Sequence, residues 1–251
     1  MESTLAKGLA VIEWLARQQR SCRLVEVAQA FDLQRSNAHR TLQTLVACGW
    51  AIQDPAGLGY RASLRLFELG SLVDAATDLK STLRPHLAVL AQETGETIHL
   101  AALEGAEIIY LDKIDSPLPV AAYSRVGGRA PAYCVASGKA LLAALRLDAA
   151  ALAARLGALA AHTPHTLIDL PALMADLEQV RERGYSENRQ EWRLGVCGLG
   201  APVFNARSEP VVAVGISLPA IRYTRAHARR ISASLLDCAG RCSQALGWPQ
   251  A

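Results

Sequence analysis

The chain has 251 residues, of which 51% are hydrophobic and 20% charged, and its formal net charge is +3. This length is enough for roughly two domains with hydrophobic cores, so folding requires neither disulfides nor a metal. The six cysteines form no CxxC pair, no charged-then-apolar leader opens the sequence, and charges interrupt the Ala/Leu-rich run 140–161. These features exclude a membrane-spanning role and predict reduced thiols in the cytoplasm.

The first predicted element is a helix that begins at Ser3 or Thr4, since either side chain can cap a helix. Apolar residues recur at helical spacing along it and predict a stripe that packs against the next elements. The stripe consists of Leu5, Leu9, Ile12 and Leu15.

The segment from Leu24 to Gly49 predicts two short amphipathic helices joined by a tight turn at Asp32-Leu33. In the second helix, small polar and basic side chains gather on the face opposite the apolar one. Arg can pair with guanine, Asn or Gln with adenine, and Ser with a base or a phosphate. A helix-turn-helix presents such a face to the major groove of DNA. The alternative is a solvated helical hairpin in an all-α region.

A period-two pattern follows the second helix. Residues 50–53 and 60–62 predict two strands joined by a Gly/Pro turn, the wing of a winged helix. Arg61 on the wing is either a phosphate contact or an ordinary exposed strand residue. The expected contacts to double-stranded operator DNA are Arg35, Ser36, Asn37, His39, Arg40, Gln43, Thr44 and Arg61.

A helix predicted over 63–80 carries apolar residues at 3-4-3 spacing, as in a short coiled-coil seam. Such a seam predicts a homodimer, because one recognition helix reads too few base pairs for specific binding. The same face could instead pack on its own domain. The seam residues are Leu66, Leu69, Val73 and Ala76.

Beyond Gly95 the composition changes and predicts an α+β domain in which helices flank antiparallel strands. A helix from near Thr82, with Pro85 in its first turn, is expected to end at Gly95. Strands are predicted at 97–103, 107–113, 119–122, 196–204 and 211–218. Further helices are predicted at 137–146, 148–156, 171–183 and 224–246. The segment 124–131 is expected to be a loop, and it lacks the glycine spacing of a nucleotide-binding loop.

Several short motifs occur in order along nearly the whole chain. They are Leu5–Val11, Arg35-Ser36 with Arg40, Leu69-Gly70, His99–Ala101, Tyr110–Lys113, Arg125–Pro131, Gly138–Ala140, Thr163–Thr166, Arg183–Tyr185 and Ala201–Phe204. In these motifs the chain resembles the IclR family of bacterial transcription regulators. The resemblance implies a winged helix-turn-helix over 1–63, a linker and dimerisation helix over 64–80, and a GAF-like α/β effector-binding domain over 81–251. It also implies homodimers or dimers of dimers (homotetramers).

The resemblance further implies an effector pocket at Ala136, Asn188, Gly198, Gly215 and Ser217. Family members that sense small oxoacids tend to carry an acidic residue, a Cys and a Ser where this chain has Asn188, Gly198 and Gly215. Two glycines leave more volume and fewer hydrogen-bond donors, which suits a bulkier, partly apolar ligand such as an aromatic acid. Alternatively, these glycines only relieve backbone crowding in their strands.

Taken together, the sequence predicts a one-component, ligand-responsive DNA-binding regulator of catabolic genes. Its expected effector is a small organic acid, with aromatic acids among the candidates, and no cofactor, metal or catalytic step is expected. One alternative is a GAF-like thiol enzyme using Cys134 or Cys197, for which His99, His162 and His165 are the available bases. Another is an interaction module whose helix-turn-helix no longer binds DNA. Repression and activation are both compatible with the sequence.

Overall fold

The computed structural model describes residues 3–55, 59–75, 79–121 and 124–249. The chain divides into two compact units, Met1–Asp78 and Leu79–Ala251. Within the described ranges, no helix combines the length and the apolar character needed to cross a bilayer.

The first unit is a winged helix. Its elements are α1 (Ser3–Gln18), α2 (Leu24–Ala30), α3 (Arg35–Ala47), β1 (Ala51–Gln53), β2 (Tyr60–Ala62) and α4 (Arg65–Ala75). The turn between α2 and α3 contains Asp32 at φ 49°, and α3 ends before Gly49 at φ 76°, a left-handed conformation that favours glycine. Strands β1 and β2 pair antiparallel. The helix-turn-helix and its two-stranded wing are therefore confirmed, with residues 56–58 of the wing turn outside the described ranges.

The buried face of α1 differs from the predicted stripe. Val11, Ile12 and Leu15 lie in the core, whereas Leu5 and Leu9 are each 59% exposed. The N-terminal half of the predicted stripe was thus wrong as a core face. Helical spacing shows which residues share a face, but it does not show how far along the helix a packing partner extends.

The helices after the wing also differ from the prediction. Helix α5 covers Leu79–Thr94, so it begins before the predicted start near Thr82. Pro85 consequently lies inside α5 and not in its first turn. The expectation was wrong because a proline favours a first turn but can also occupy a helix interior at a cost in stability.

The predicted dimerisation seam is only partly described. Leu66 packs against the core of the winged helix, and Leu69 is 37% exposed. The side chain of Val73 and the whole of Ala76 lie outside what the structure describes. The seam therefore stays a prediction.

The second unit is built on one antiparallel sheet in the order β5-β4-β3-β8-β7-β6. The strands are β3 (Thr97–Glu104), β4 (Glu107–Ile114), β5 (Arg129–Pro131), β6 (Ser186–Arg189), β7 (Val196–Phe204) and β8 (Pro210–Pro219). The helices after α5 are α6 (Ala136–Ala144), α7 (Ala149–Leu156), α8 (Leu170–Arg183) and α9 (Arg225–Ala245). One core joins α5 and α9 to one face of the sheet. A second core joins α6, α7 and α8 to the other face, which confirms the predicted α+β class.

The edges of this sheet were not predicted. Residues 119–121 do not form the strand expected at 119–122, and Ala122 lies outside the described ranges. Instead β5 forms within the segment 124–131 that was expected to be a loop, and β6 pairs with β7. Both edge strands are short, and β6 has the sequence Ser-Glu-Asn-Arg, so neither shows the alternating apolar pattern that reveals a half-buried strand.

Helix α6 lies directly on the sheet because glycine stands beneath its first turn. A Cβ atom added at Gly200 would lie 2.6 Å from the backbone carbonyl carbon and oxygen of Ala136. Such a distance requires a backbone shift, so the approach of α6 to β7 depends on the missing side chain.

Replacing this glycine provides a test of the packing. We expect Gly200→Ala to lower the free energy of unfolding by about 1–3 kcal/mol, because overpacking forces helix and sheet apart. The matched control is Gly240→Ala in α9, where a Cβ would meet no atom of the described residues within 4 Å and where alanine should add about 0.5–1 kcal/mol. Chemical denaturation of both variants measures the difference. Equal stabilities for the two variants would contradict the close approach of α6.

Candidate functional site

Helix α3 separates a buried face from an exposed polar one. Ala38, Leu42 and Leu45 are buried in the core of the winged helix. The opposite side is exposed and carries Arg35, Ser36, Asn37, His39, Arg40 and Thr44. The Nη2 atom of Arg40 donates a hydrogen bond to Oδ1 of Asn37 at 3.1 Å, so these two side chains form one preorganised polar group.

Gln43 and Arg61 differ in how available their side chains are to DNA. The Nε2 atom of Gln43 lies 3.2 Å from Oε1 of Gln53 and 3.3 Å from the Tyr60 hydroxyl, which ties α3 to the wing. Gln43 is also half-buried, so it is less available to a base edge than Arg40. Arg61 is exposed in the middle of β2, where a phosphate could reach it.

Sequence reasoning did not identify Lys7 as part of this surface. A small cleft of about 270 Å³ lies between α1 and α3, and Lys7 and Arg40 both line it. Lys7 stands two residues from Leu5 and from Leu9 along α1, so it faces away from those exposed leucines. Its position near Arg40 extends the basic surface beyond the recognition helix.

Four of the five expected effector-site residues come together in the second unit. Asn188, Gly198 and Ser217 are neighbours across β6, β7 and β8 in one cross-strand row. A Cβ atom at Gly198 would lie 3.7 Å from Oγ of Ser217 and 3.8 Å from Cβ of Ala136, the first residue of α6. The site therefore combines a helix N-terminus with polar strand residues on one face of the sheet.

Gly215 lies one row away, paired with Gly200 and His99. A Cβ atom there would lie only 2.3 Å from Oγ of Ser137, and at Gly198 it would lie 2.7 Å from the carbonyl oxygen of Ile216. Of the two roles considered for these glycines, the geometry favours relief of crowding over extra pocket volume. The atoms nearest to an added Cβ belong to the Ser137 side chain of α6 and to strand backbone.

His99 joins this group of residues, a role that sequence reasoning missed because it treated His99 only as a catalytic base. The side chain is buried. Its Nε2 atom lies 2.5 Å from Oγ of Ser124, and its Nδ1 atom lies 3.4 Å from Oγ of Ser217. Its ring lies 4.7 Å from that of Tyr110. The period-two pattern of β3, which places His99 on the same face as Thr97 and Ala101, was the available signal.

The electrostatic environment keeps His99 neutral. Burial lowers the pKa of His99 from its usual 6.5 to about 4, and the nearby positive charge of Lys113 acts in the same direction. A neutral imidazole has one donor and one acceptor nitrogen. It can therefore accept a hydrogen bond from one hydroxyl group and donate to another.

A buried ion cluster supports the loop beside the site. Lys139 is 1% exposed, and its Nζ atom lies 2.8 Å from Oε2 of Glu191 and 2.9 Å from Oδ2 of Asp176. The backbone amide of Glu191 donates to Oδ1 of Asn188 at 2.8 Å. Burial raises the pKa of Glu191, whereas the Lys139 ammonium opposes that shift. Lys139 thus links α6 and α8 to the end of β6.

The two cysteines named for a thiol enzyme are poorly placed for that chemistry. Burial raises the pKa of the Cys134 thiol to about 12, and burial also raises the pKa of Cys197. A nucleophilic cysteine requires the opposite shift. Cys197 moreover packs in the core that faces α9, on the other side of the sheet from Ser217. In the described part of the chain, no group of three His, Cys, Asp or Glu residues is arranged to hold a metal ion.

A winged helix with an exposed polar recognition face, in one chain with a domain that gathers polar groups at a helix N-terminus, defines a ligand-responsive DNA-binding regulator. The sequence models agree: the IclR helix-turn-helix domain matches residues 4–55, and the C-terminal domain of bacterial transcriptional regulator IclR matches residues 73–244. The chain belongs to the IclR family of transcription regulators.

Relatives and solved structures match over almost the whole chain. The HTH-type transcriptional regulator XynR of Escherichia coli (strain K12) is 32% identical over 248 residues, 98% of each chain. The crystal structure of IclR from Thermotoga maritima matches with a TM-score of 0.80 at 28% identity, over 99% of this chain and 100% of that one. An IclR homologue from Microbacterium hydrocarbonoxydans complexed with 4-hydroxybenzoate has a TM-score of 0.81 over 97% and 99% of the two chains. At 23% identity, this last similarity shows the fold alone.

The low pKa of His99 predicts a specific loss of stability in acid. Unfolded His99 has a pKa near 6.5 and folded His99 a pKa of about 4, so between these values the unfolded state binds more protons. The free energy of unfolding should therefore fall as the pH falls through this window, by up to about 1.4 kcal/mol per pH unit from this group. This loss of stability is complete below about pH 4, where His99 is protonated in both states. Denaturant titrations between pH 7 and 4 measure it against His99→Asn, which does not titrate. Parallel curves for the two proteins would contradict the lowered pKa.

Proposed function

We propose that this protein is a one-component regulator of catabolic genes that binds operator DNA as a homodimer or dimer of dimers and responds to a small organic acid. The single observation that carries the proposal is the exposed polar face of α3 opposite its buried Ala38, Leu42 and Leu45. A helix of this kind in a winged helix-turn-helix fits the major groove. We further propose that the protein acts in the cytoplasm and has no catalytic activity.

The proposed DNA contacts include both base contacts and phosphate contacts. Arg40 and Asn37 share a hydrogen bond on the exposed face of α3 and are proposed to read base edges. Arg35 and Ser36 open the helix, where its N-terminal end favours phosphate. Arg61 on the wing is proposed to contact a phosphate and to fix the orientation of the domain. His39, Gln43 and Thr44 complete the proposed contact set.

The effector is proposed to bind with its carboxylate at the N-terminus of α6, beside Ala136. The first backbone amides of a helix lack intrahelical acceptors and, with the helix dipole, favour an anion. Val135 at the N-cap offers no hydrogen-bonding side chain to this end of α6, and Gly198, Asn188 and Ser217 lie beside it. Gly215 is proposed to contribute by letting α6 approach the sheet.

The rings beside this site support an aromatic acid. His99 and Tyr110 lie in ring contact, and His99 reaches Ser217. An aromatic ring bearing a carboxylate could pack there while a neutral imidazole takes part in hydrogen bonding. The homologue complexed with 4-hydroxybenzoate has the same fold, which makes that acid the first compound to test.

The DNA proposal is tested by comparing two arginines. Arg40→Ala should weaken specific operator binding by about 1–3 kcal/mol and change binding to random DNA much less, because a base contact carries the sequence information. Arg61→Ala should weaken both equally, because a phosphate contact is independent of sequence.

Fluorescence anisotropy on operator and scrambled DNA at fixed salt measures both effects. The charge-matched control is Arg17→Ala, which removes an exposed arginine that pairs with Glu13 on α1. An equal loss on both DNAs for Arg40→Ala would remove its role in base reading. Unchanged binding for Arg61→Ala would place the wing outside the interface.

The effector proposal is tested at Ser217. Ser217→Ala should weaken binding of 4-hydroxybenzoate or benzoate by about tenfold, since a hydrogen bond to a charged group contributes about 1.5–3 kcal/mol. Binding of DNA without ligand should be unchanged, since Ser217 lies outside the winged helix. Isothermal titration calorimetry gives the acid affinity, with the exposed Ser208→Ala as control. If both variants bind the acids as the natural protein does, the effector site lies elsewhere.

A further inference from the structure

A second cleft lies on the side of the sheet opposite the proposed effector site. Its volume is about 820 Å³, and β6, β7 and the beginning of α9 form it. Glu187 and Arg189 of β6 line it, whereas Asn188 between them belongs to the effector side. Successive residues of a strand point to opposite faces. The two sites therefore lie back to back on the same four-residue strand.

The carboxylate in this cleft is already neutralised. Glu187 accepts hydrogen bonds from Nε of Arg189 at 2.9 Å and forms an ion pair with its Nη2 atom at 2.6 Å. The Nη1 atom of Arg183 approaches the same carboxylate at 3.8 Å. Two arginines therefore face one carboxylate, and strand β6 contributes no net negative charge to the cleft.

Helix α9 adds two further arginines. Arg225 and Arg229 are exposed, line the cleft, and form no ion pair with any residue in the described ranges. By contrast, Arg222 just before the helix pairs with the buried carboxylate of Glu96. The first turn of α9 contains no acidic residue. Since a helix N-terminus is itself electropositive, Arg225 in the first turn costs stability, and that cost points to a ligand of opposite charge.

A tyrosine hydroxyl is also available at the cleft. The Tyr223 hydroxyl is buried beside Glu187 and Arg189, yet it makes no hydrogen bond of good geometry to either. A buried hydroxyl without a partner costs free energy. Tyr185, whose ring lies 4.8 Å from the guanidinium carbon of Arg183, adds an aromatic surface to the same cleft.

We infer that this cleft binds a small organic anion, with a phosphate or carboxylate group held by Arg225 and Arg229 and a flat apolar body against Tyr185 and Tyr223. The arginine fork matches either anionic group. The anion acts as a second ligand, distinct from the effector.

The test uses the full chain and two probes that share an aromatic body, phenyl phosphate and benzoate, with inorganic phosphate as a third. Calorimetric titration compares the natural protein with the Arg225→Gln/Arg229→Gln double variant. The charge-matched control is Arg155→Gln/Arg207→Gln, which removes two exposed arginines outside the cleft. Ser217→Ala reports separately on the effector site. All of these substitutions except Ser217→Ala replace exposed side chains, so the fold is retained.

The expected result is saturable binding of phenyl phosphate or benzoate that the cleft variant weakens by about tenfold or more, the effect of one lost charged hydrogen bond. The Arg155→Gln/Arg207→Gln control should retain that binding. Ser217→Ala should retain binding of phenyl phosphate, whereas its binding of benzoate at the effector site should fall as proposed above. The better probe identifies the anionic group, and tighter binding of inorganic phosphate than of phenyl phosphate would remove the aromatic body from the proposal.

Four results would overturn the inference. Binding of neither organic probe would do so, as would equal affinity in the cleft variant and its control. A change in sedimentation of the cleft variant without a change in probe binding would assign the arginines to a subunit interface instead. Loss of phenyl phosphate binding in Ser217→Ala alone would assign that probe to the effector site, so the failure of this inference remains distinguishable from the failure of the proposed function.

Discussion

One buried ammonium group links the elements of the second unit that form the proposed effector site. Lys139 lies in α6 and pairs with Asp176 of α8 and with Glu191 after β6. Removing three charges from water is costly, and their mutual attraction compensates only when the geometry is good. Losing one partner would leave uncompensated buried charge. The cluster therefore fixes the helix N-terminus beside Ala136 relative to Asn188, and both belong to the proposed effector site.

Close packing of α6 imposes a second constraint on the same site. Gly200 and Gly215 allow the first turn of the helix to rest on β7 and β8, which brings Ala136 and Ser137 directly over the sheet. A ligand at this point would touch the helix end and the sheet at once. Strand β6 then separates that site from the basic cleft on the α9 side. A small shift of β6 would displace side chains on both faces of the strand, because packed elements transmit strain.

The sequence was most informative for elements in which apolar residues recur at regular spacing along the whole element. Helix α3 and strands β7 and β8 carry regular apolar residues and were placed within one or two residues. Strands β5 and β6 were missed because an edge strand pairs on one side only and its residues need not alternate. Leu5 and Leu9 were assigned to the core because periodicity contains no information about where a neighbouring helix ends.

The candidate site was predictable only in part, for a related reason. Family motifs indicated Ala136, Asn188, Gly198 and Ser217. Strand register brings the last three together, and the packing of α6 on the sheet adds Ala136. The contribution of His99 depends on a contact with Ser217, which is 118 residues away in the sequence. No local sequence pattern reveals a contact between residues so far apart. The role of Gly215 depends on its closeness to Ser137 of α6. From the sequence alone, this glycine is compatible with either extra pocket volume or a crowded backbone.

Genomic footprinting with and without ligand tests the central claim most directly, namely that DNA reading by α3 responds to an acid bound in the second unit. The purified protein is incubated with fragments of the genome that encodes it, in the absence and presence of a panel of organic acids. The account predicts a small set of protected sites, each with two half-sites about one helical turn apart. It also predicts that at least one acid changes their occupancy by about 5–150-fold in affinity. Protection no greater than on random DNA, or sites that no bound acid affects, would contradict it.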